Sequence, residues 1–573
     1  MRVFFINIFL FCFSFSEAQQ TQFEKSNGTE TATYFEVIDW YKKMDANSPM
    51  ASIKQMGKTD AGYPLHLVML SSDGKFDPIQ WHKQNKIVLL INNGIHPGEP
   101  DGIDASMMLV RDIIQKKVHL PSNIALAFIP VYNIGGCLNR NAYTRANQNG
   151  PAEYGFRGNA QNLDLNRDFT KNDSKNAMSF AEIFHYLNPD IFIDNHVSDG
   201  ADYQHTMTLI TTQYDKLGKS LGKYLKEELE PKLYKNMAAK GWDMIPYVDF
   251  AATDFSKGMT MFMETPRYST GYAALFNTIS FMPETHMLKP YKERVQSTYD
   301  LMKTFIEVGS SNASQILFQR NLALQEWMNT NVFPLKWKSD KTQSTQIVFK
   351  GYDADTTLSE ATGLKKIFYN HNKPFTRNIT FYNGFSADGV ITKPKAYLIP
   401  AGWWEVINRL KLNNVNMQQL KSDTSINVTS YKISDYKSYP SAYEKHHKNY
   451  AVKAEPITLN KKFLKGDYII YLNQPTNRYL VEMLEPTGDD SFFSWNFFDA
   501  ILQQKEGYID YRWEDLATKV LKNDPILKQK LDSLKISDAN FAANSGAILD
   551  YIYKNSPYFE KAYRQYPVYR IEY

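Results

Sequence analysis

Lys86-Ile-Val-Leu-Leu-Ile-Asn-Asn-Gly-Ile-His-Pro-Gly-Glu99 is the stretch on which the fold turns. Residues 86–92 form a continuous apolar run, the pattern of a strand buried on both faces. A polar turn carrying His96 and Glu99 follows. From Gly102 onward, Ile103, Met107, Val110 and Ile114 recur at helical spacing. The pattern repeats downstream. Strands are predicted at 125–131, 190–194 and 277–282, and helices at 174–187, 214–233 and 289–308. Strands alternating with helices imply an α/β fold with a mostly parallel central sheet flanked by helices, spanning 34–309.

The character changes after Gly309-Ser-Ser-Asn312. Residues 310–344 are expected to be a linker with a connecting helix and strand. Residues 345–573 then show short alternating strands with Gly, Asn, Asp and Pro turns, and helices beyond Trp495. This is expected to be an accessory C-terminal α/β domain. A chain of 573 residues exceeds what one core supports, so more than one domain is required.

Met1-Arg2 followed by an apolar run to Phe15 and the small-x-small Ser16-Glu17-Ala18 predicts a signal peptide over residues 1–18. The run is too short to span a bilayer, and no later segment approaches the length of a membrane helix. Cleavage would leave Cys137 alone, which excludes an internal disulfide. An exported bacterial protein, periplasmic or extracellular, fits that cysteine usage. A formal net charge of +4, with no run of Lys or Arg, gives no footprint for nucleic acid.

Four motifs carry chemistry. His96 is the only histidine with Glu three residues on, and the pair sits past a buried strand, where ligands collect in parallel sheets. Asp194-Asn195-His196 ends a second buried strand. Leu163-Asp164-Leu165-Asn166-Arg167 places a guanidinium fork beside an amide, a device for gripping a carboxylate. Phe281-Met282-Pro283-Glu284 sets a carboxylate after a third strand. Each motif alone has a bland structural reading, but the four together at strand ends of one domain do not.

Their order resembles the zinc carboxypeptidases of the carboxypeptidase A type over residues 34–309. The resemblance implies one Zn²⁺ per chain on His96, Glu99 and His196, with Asp164 orienting His96. It makes Asn166 and Arg167 the binders of the substrate's terminal carboxylate, and Glu284 the general base and acid. Arg157 is the expected oxyanion-stabilising arginine, with Arg145 and Arg140 as alternatives. A substrate-clamping tyrosine is expected upstream of Glu284, either Tyr272 or Tyr268. Glu264, in Phe262-Met-Glu-Thr-Pro, competes with Glu284 for the role of base. Asn133-Ile-Gly-Gly136 departs from the family's usual Asn-Pro-Asp-Gly, and the residues before His196 depart from the usual neighbours of the third ligand.

The implied activity is hydrolysis of the C-terminal peptide bond of peptides with a free C-terminus. A zinc amidase or deacylase acting on cell-wall peptides or acylated amino acids would use the same metal site. A non-catalytic peptide- or glycan-binding protein is the rival from another class.

Overall fold

The computed structural model describes residues 19–248, 255 and 257–573. The expected signal peptide lies outside the described residues. The first strands are β1 (Ala51–Lys58), β2 (Pro64–Ser71), β3 (Ile87–Asn92), β4 (Ile124–Ile129) and β5 (Ile191–Asp194). They are followed by β6 (His196–Ser198), β7 (Met207–Thr211), β8 (Ile245–Pro246), β9 (Met259–Thr260) and β10 (Ile279–His286). All but β9 join one nine-stranded sheet in the order β1-β2-β4-β3-β5-β10-β7-β8, with β6 also pairing β10. Its centre, β4-β3-β5-β10, is parallel, and its flanks include antiparallel pairs.

The continuous apolar run of β3 has a direct cause. Ile87, Leu89 and Ile91 enter the core on one face of the sheet, and Val88 and Leu90 enter the core on the other. The helix Asp101–Ile114 covers the first face together with Tyr291–Ser311, and Lys175–Leu187 covers the second. Ser174 caps that last helix by accepting from the Ala177 N–H.

Two local expectations change. The single helix expected over 214–233 is four consecutive helical pieces reaching Ala239, one of them a π-turn at Leu225–Leu229. β10 runs on to His286, so Glu284 lies within the strand instead of after it. Pro283 does not end β10 because the ladder on that side is already interrupted. β5 pairs up to Phe281 and β6 takes over at Glu284, so no partner awaits the missing N–H.

The segment 310–344, expected as a linker, is part of the packed structure. The helix Ala313–Asn329 anchors back through Arg320, which pairs with Asp190 at 2.7 Å. Trp327, Phe333 and Leu335 join the core of the C-terminal region. The boundary expected at 345 would cut the strand Trp337–Leu358. That strand and Lys365–Ala387 form one long antiparallel ribbon where short strands were expected. Its base packs on the N-terminal core through Phe349, Ile379 and Phe381. A six-stranded sheet follows, built mainly from Ala396–Ile399, Thr424–Ser438, Asn449–Phe463, Tyr468–Tyr471 and Tyr569–Ile571. Helices Asp510–Asn523, Pro525–Ser537 and Ser545–Lys554 form a small apolar cluster of their own around Trp513.

Candidate metal centre and substrate cavity

His96 and Glu99 occupy the turn after β3, closed by the Glu99 N–H donating to the His96 carbonyl at 2.8 Å. His196 opens β6, directly across the parallel ladder from Glu284 in β10. Three strands of the parallel centre therefore deliver their C-terminal ends to one point. His96, Glu99 and His196 each offer one ligand atom, all within 4.8 Å of one another, and all three side chains are buried.

The ring orientations are set from behind. His96 Nε2 lies 2.9 Å from Asp164 Oδ1, and His196 Nε2 lies 3.2 Å from Asp194 Oδ2. Both Nδ1 atoms thus face Glu99, each 3.2 Å from one of its oxygens. His96 Nδ1 is buried without a hydrogen-bond partner, an orphan that a metal ion would satisfy. Two imidazoles held by carboxylates at the far nitrogen, with a carboxylate between them, form a donor set suited to zinc. The residues present fit the metal. Asp194 was not singled out from sequence, although it stands two residues before His196.

Charge is concentrated here. Burial pushes Glu99 up, but His96 and Arg145 outweigh it and hold the carboxyl well below the usual range. Burial pushes His196 down, yet Asp194 and Glu99 hold it well above its ordinary value. Asp164, beside His96, Arg157 and Arg167, is held low against the cost of burial. Glu284 is pushed up to about 8, by burial first and by Glu99 and Glu264 in addition.

The triad opens onto a cavity of about 340 Å³ lined also by Glu284, Arg145, Arg157, Asn166, Arg167, Glu264 and Tyr268. Asp164 caps a short 3₁₀ turn at Leu165–Arg167 by accepting from the Asn166 N–H, which turns Asn166 and Arg167 towards the cavity. Arg145 is held through each of its nitrogens: Nε donates to Gln148, Nη1 to Glu99 and Nη2 to the Val197 carbonyl. Gly98 makes room for it, since a Cβ there would sit 2.7 Å from Arg145 Cδ. Arg157 grips Asp164 with Nε and Nη2 and keeps Nη1 3.7 Å from Glu99, with 46% of its side chain exposed. Arg140 is elsewhere, donating to the carbonyls of Thr31, Ala32 and Glu153.

Tyr272 is a correction. It is fully buried in the aromatic core among Phe169, Phe184 and Phe276, and its hydroxyl donates to Asn413 at 2.7 Å. Of the two expected candidates, Tyr268 lines the cavity, its ring 4.5 Å from the Arg167 guanidinium carbon, and Tyr247 lines it as well. Of the two candidate bases, Glu264 has one oxygen tied to the Thr270 N–H and hydroxyl. Glu284 is the one in register with a ligand.

Residues 37–208 match the zinc carboxypeptidase family. Similar curated proteins include carboxypeptidase 2 of Trichophyton equinum, 22% identical over 497 residues, covering 82% of this chain and 85% of that protein. Carboxypeptidase 2 of Trichophyton rubrum is 22% identical over 499 residues, with the same coverage. Among solved structures, carboxypeptidase A from Helicoverpa armigera aligns with a TM-score of 0.37 at 15% identity, covering 50% of this chain and 74% of that one. A metallo-carboxypeptidase from Burkholderia cenocepacia aligns with a TM-score of 0.35 at 15% identity, covering 47% and 68%.

Proposed function

We propose that this chain, whose residues 37–208 match the zinc carboxypeptidase family, removes the C-terminal residue of peptides. One observation carries the proposal: the His96-Glu99-His196 triad, Glu284 and the Asn166-Arg167 pair line a single cavity. His96, Glu99 and His196 would hold one zinc, whose Lewis acidity makes water a nucleophile at neutral pH. Arg167, with Asn166, binds the terminal carboxylate and sets the last peptide bond over the triad. Glu284 takes the proton of the attacking water and delivers it to the leaving amine. Arg157 Nη1, the donor not spent on Asp164, stabilises the negative charge that develops on the carbonyl oxygen.

In this reading residues 34–309 are the catalytic domain, and the region from the strand Trp337–Leu358 onward is accessory. Residues 1–18 direct export from a bacterial cell. No helix among the described residues is long and apolar enough to cross a membrane. N-terminal sequencing of secreted protein tests the export reading.

The deciding experiment compares peptides with free and amidated C-termini. Wild-type protein with about one zinc per chain should cleave the free acids and be slow on the amides. Arg167→Ala should lower kcat/KM on free acids by a factor of roughly 30 to 1,000, as expected from about 2–4 kcal/mol for a partly buried charged contact. Equal rates on both substrates would replace the carboxypeptidase reading with the amidase one.

A further inference from the structure

The catalytic cavity is built wholly from residues before 290, but the residues behind it are not. A turn of the C-terminal region, residues 439–448, reaches back across the sequence to the Asp164–Arg167 segment. Glu444 Oε2 accepts from the Asp164 N–H at 2.9 Å, across a separation of 280 residues. Tyr443, its neighbour, lies beside Arg267, whose guanidinium carbon is also 5.8 Å from the Tyr268 ring. The turn is conformationally committed: Glu444 and Lys445 both have positive φ, at 50° and 74°. Side chains other than Gly, Asn or Asp adopt that region at a cost, and it persists where the surroundings hold it.

Those surroundings are dense. The Tyr443 ring stacks on Trp495 with centroids 6.1 Å apart, and the Arg267 guanidinium carbon lies 5.9 Å from the Tyr443 ring and 5.2 Å from Trp495. Arg267 is itself fixed by Asp490 at 2.9 Å. At the other end of the turn, His446 Nε2 lies 2.7 Å from Asp173 Oδ2, and Asp173 also pairs with Lys171 and Arg409. The contacts therefore form a continuous seam from the C-terminal core to the residue that orients His96.

We infer that Glu444 is a positioning residue of the candidate metal site, holding Asp164 and through it His96. The inference rests on the metal site of the functional reading. Glu444 does not line the cavity, so it acts through Asp164. Glu444 needs only to accept, because its partner is a backbone N–H. A glutamine amide oxygen would serve as well, without setting a second carboxylate beside Asp164.

The test uses the full-length zinc-loaded protein and two variants, Glu444→Gln and Glu444→Ala, with thermal melts to confirm folding. Glu444→Ala should weaken zinc binding, measured by competition with a chromogenic chelator, by about 3- to 10-fold, less than loss of a direct ligand partner. Glu444→Gln should keep wild-type zinc affinity. If folded Glu444→Ala protein keeps wild-type zinc affinity, the turn is structural only and the inference fails. A wild type that ignores the terminal carboxylate overturns the carboxypeptidase reading, but the zinc measurement still decides the inference.

Discussion

Replacing Asp194 by Asn probes the least obvious support of the metal centre. Asp194 is fully buried at the end of β5, where Oδ2 faces His196 Nε2 at 3.2 Å and Oδ1 accepts from Asn92 Nδ2 at 2.9 Å. An asparagine is nearly isosteric, so the fold should survive. With its oxygen still accepting from Asn92, its NH₂ group would face His196 Nε2. The imidazole would then need its lone pair at Nε2 and its proton at Nδ1, the atom turned towards Glu99. That is the wrong tautomer for a ligand. Losing such a partner costs roughly 10- to 100-fold in metal affinity. The 3.2 Å contact is long for a charge-assisted bond, which puts the expected loss near the lower end, about 10- to 30-fold, or about 1.4–2 kcal/mol. Competition against a chelator of known affinity measures it, with a melt of the zinc-free protein to confirm folding. Folded Asp194→Asn protein with wild-type zinc affinity would show that His196 is not oriented through Asp194.

Glu284→Gln should retain zinc while turnover falls by roughly 10²–10⁴, the range for loss of a general acid–base group. If Glu264→Gln is instead the more damaged variant by turnover at equal zinc content, the assignment of the base is wrong. Tyr272→Phe should leave KM unchanged and cost about 0.5–1.5 kcal/mol of stability by removing a buried hydrogen bond to Asn413, whereas Tyr268→Ala should raise KM. A melt-and-kinetics pair that reverses these effects would return Tyr272 to the site. Asp173 supplies a pH test. Burial works against its charge, but His446, Lys171 and Arg409 hold its pKa at about 2, below the unfolded value of 3.8. A depressed carboxyl contributes stability above the unfolded pKa and loses it as pH falls through the folded one. About 2 kcal/mol should therefore disappear between pH 4 and 2, and Asp173→Asn should lack that loss in acid denaturation curves.

The parts legible in the sequence were those with strong local signals. β3, β4 and β5 are buried on both faces, so their apolar runs could hardly be missed, and the His96–Glu99 turn follows directly from one of them. β1 was not legible, because its mixed burial leaves no clean alternation at the sheet edge. The long ribbon was read as several strands because most of it is exposed and rich in Asn, Asp and Lys, residues that elsewhere mark turns. Tyr268 and Tyr272 are four residues apart around a short helix, and only packing shows that one faces the core and the other the cavity. Glu444 lies 280 residues from Asp164, and no local pattern encodes such a contact.

The pairing of Glu284 with His196 across β10 and β6 has a consequence for how this sequence can vary. Side chains alternate faces along a strand, so deleting or inserting one residue before position 284 in β10 would turn the carboxylate to the opposite face. Two inserted residues would restore the face but carry Glu284 about 6.6 Å along the strand, beyond reach of a water shared with the metal triad. Substitutions in β10 that keep apolar volume should be tolerated. Changes of length there should abolish turnover even when the chain folds, because neighbouring strands can absorb a slipped register more easily than the chemistry can.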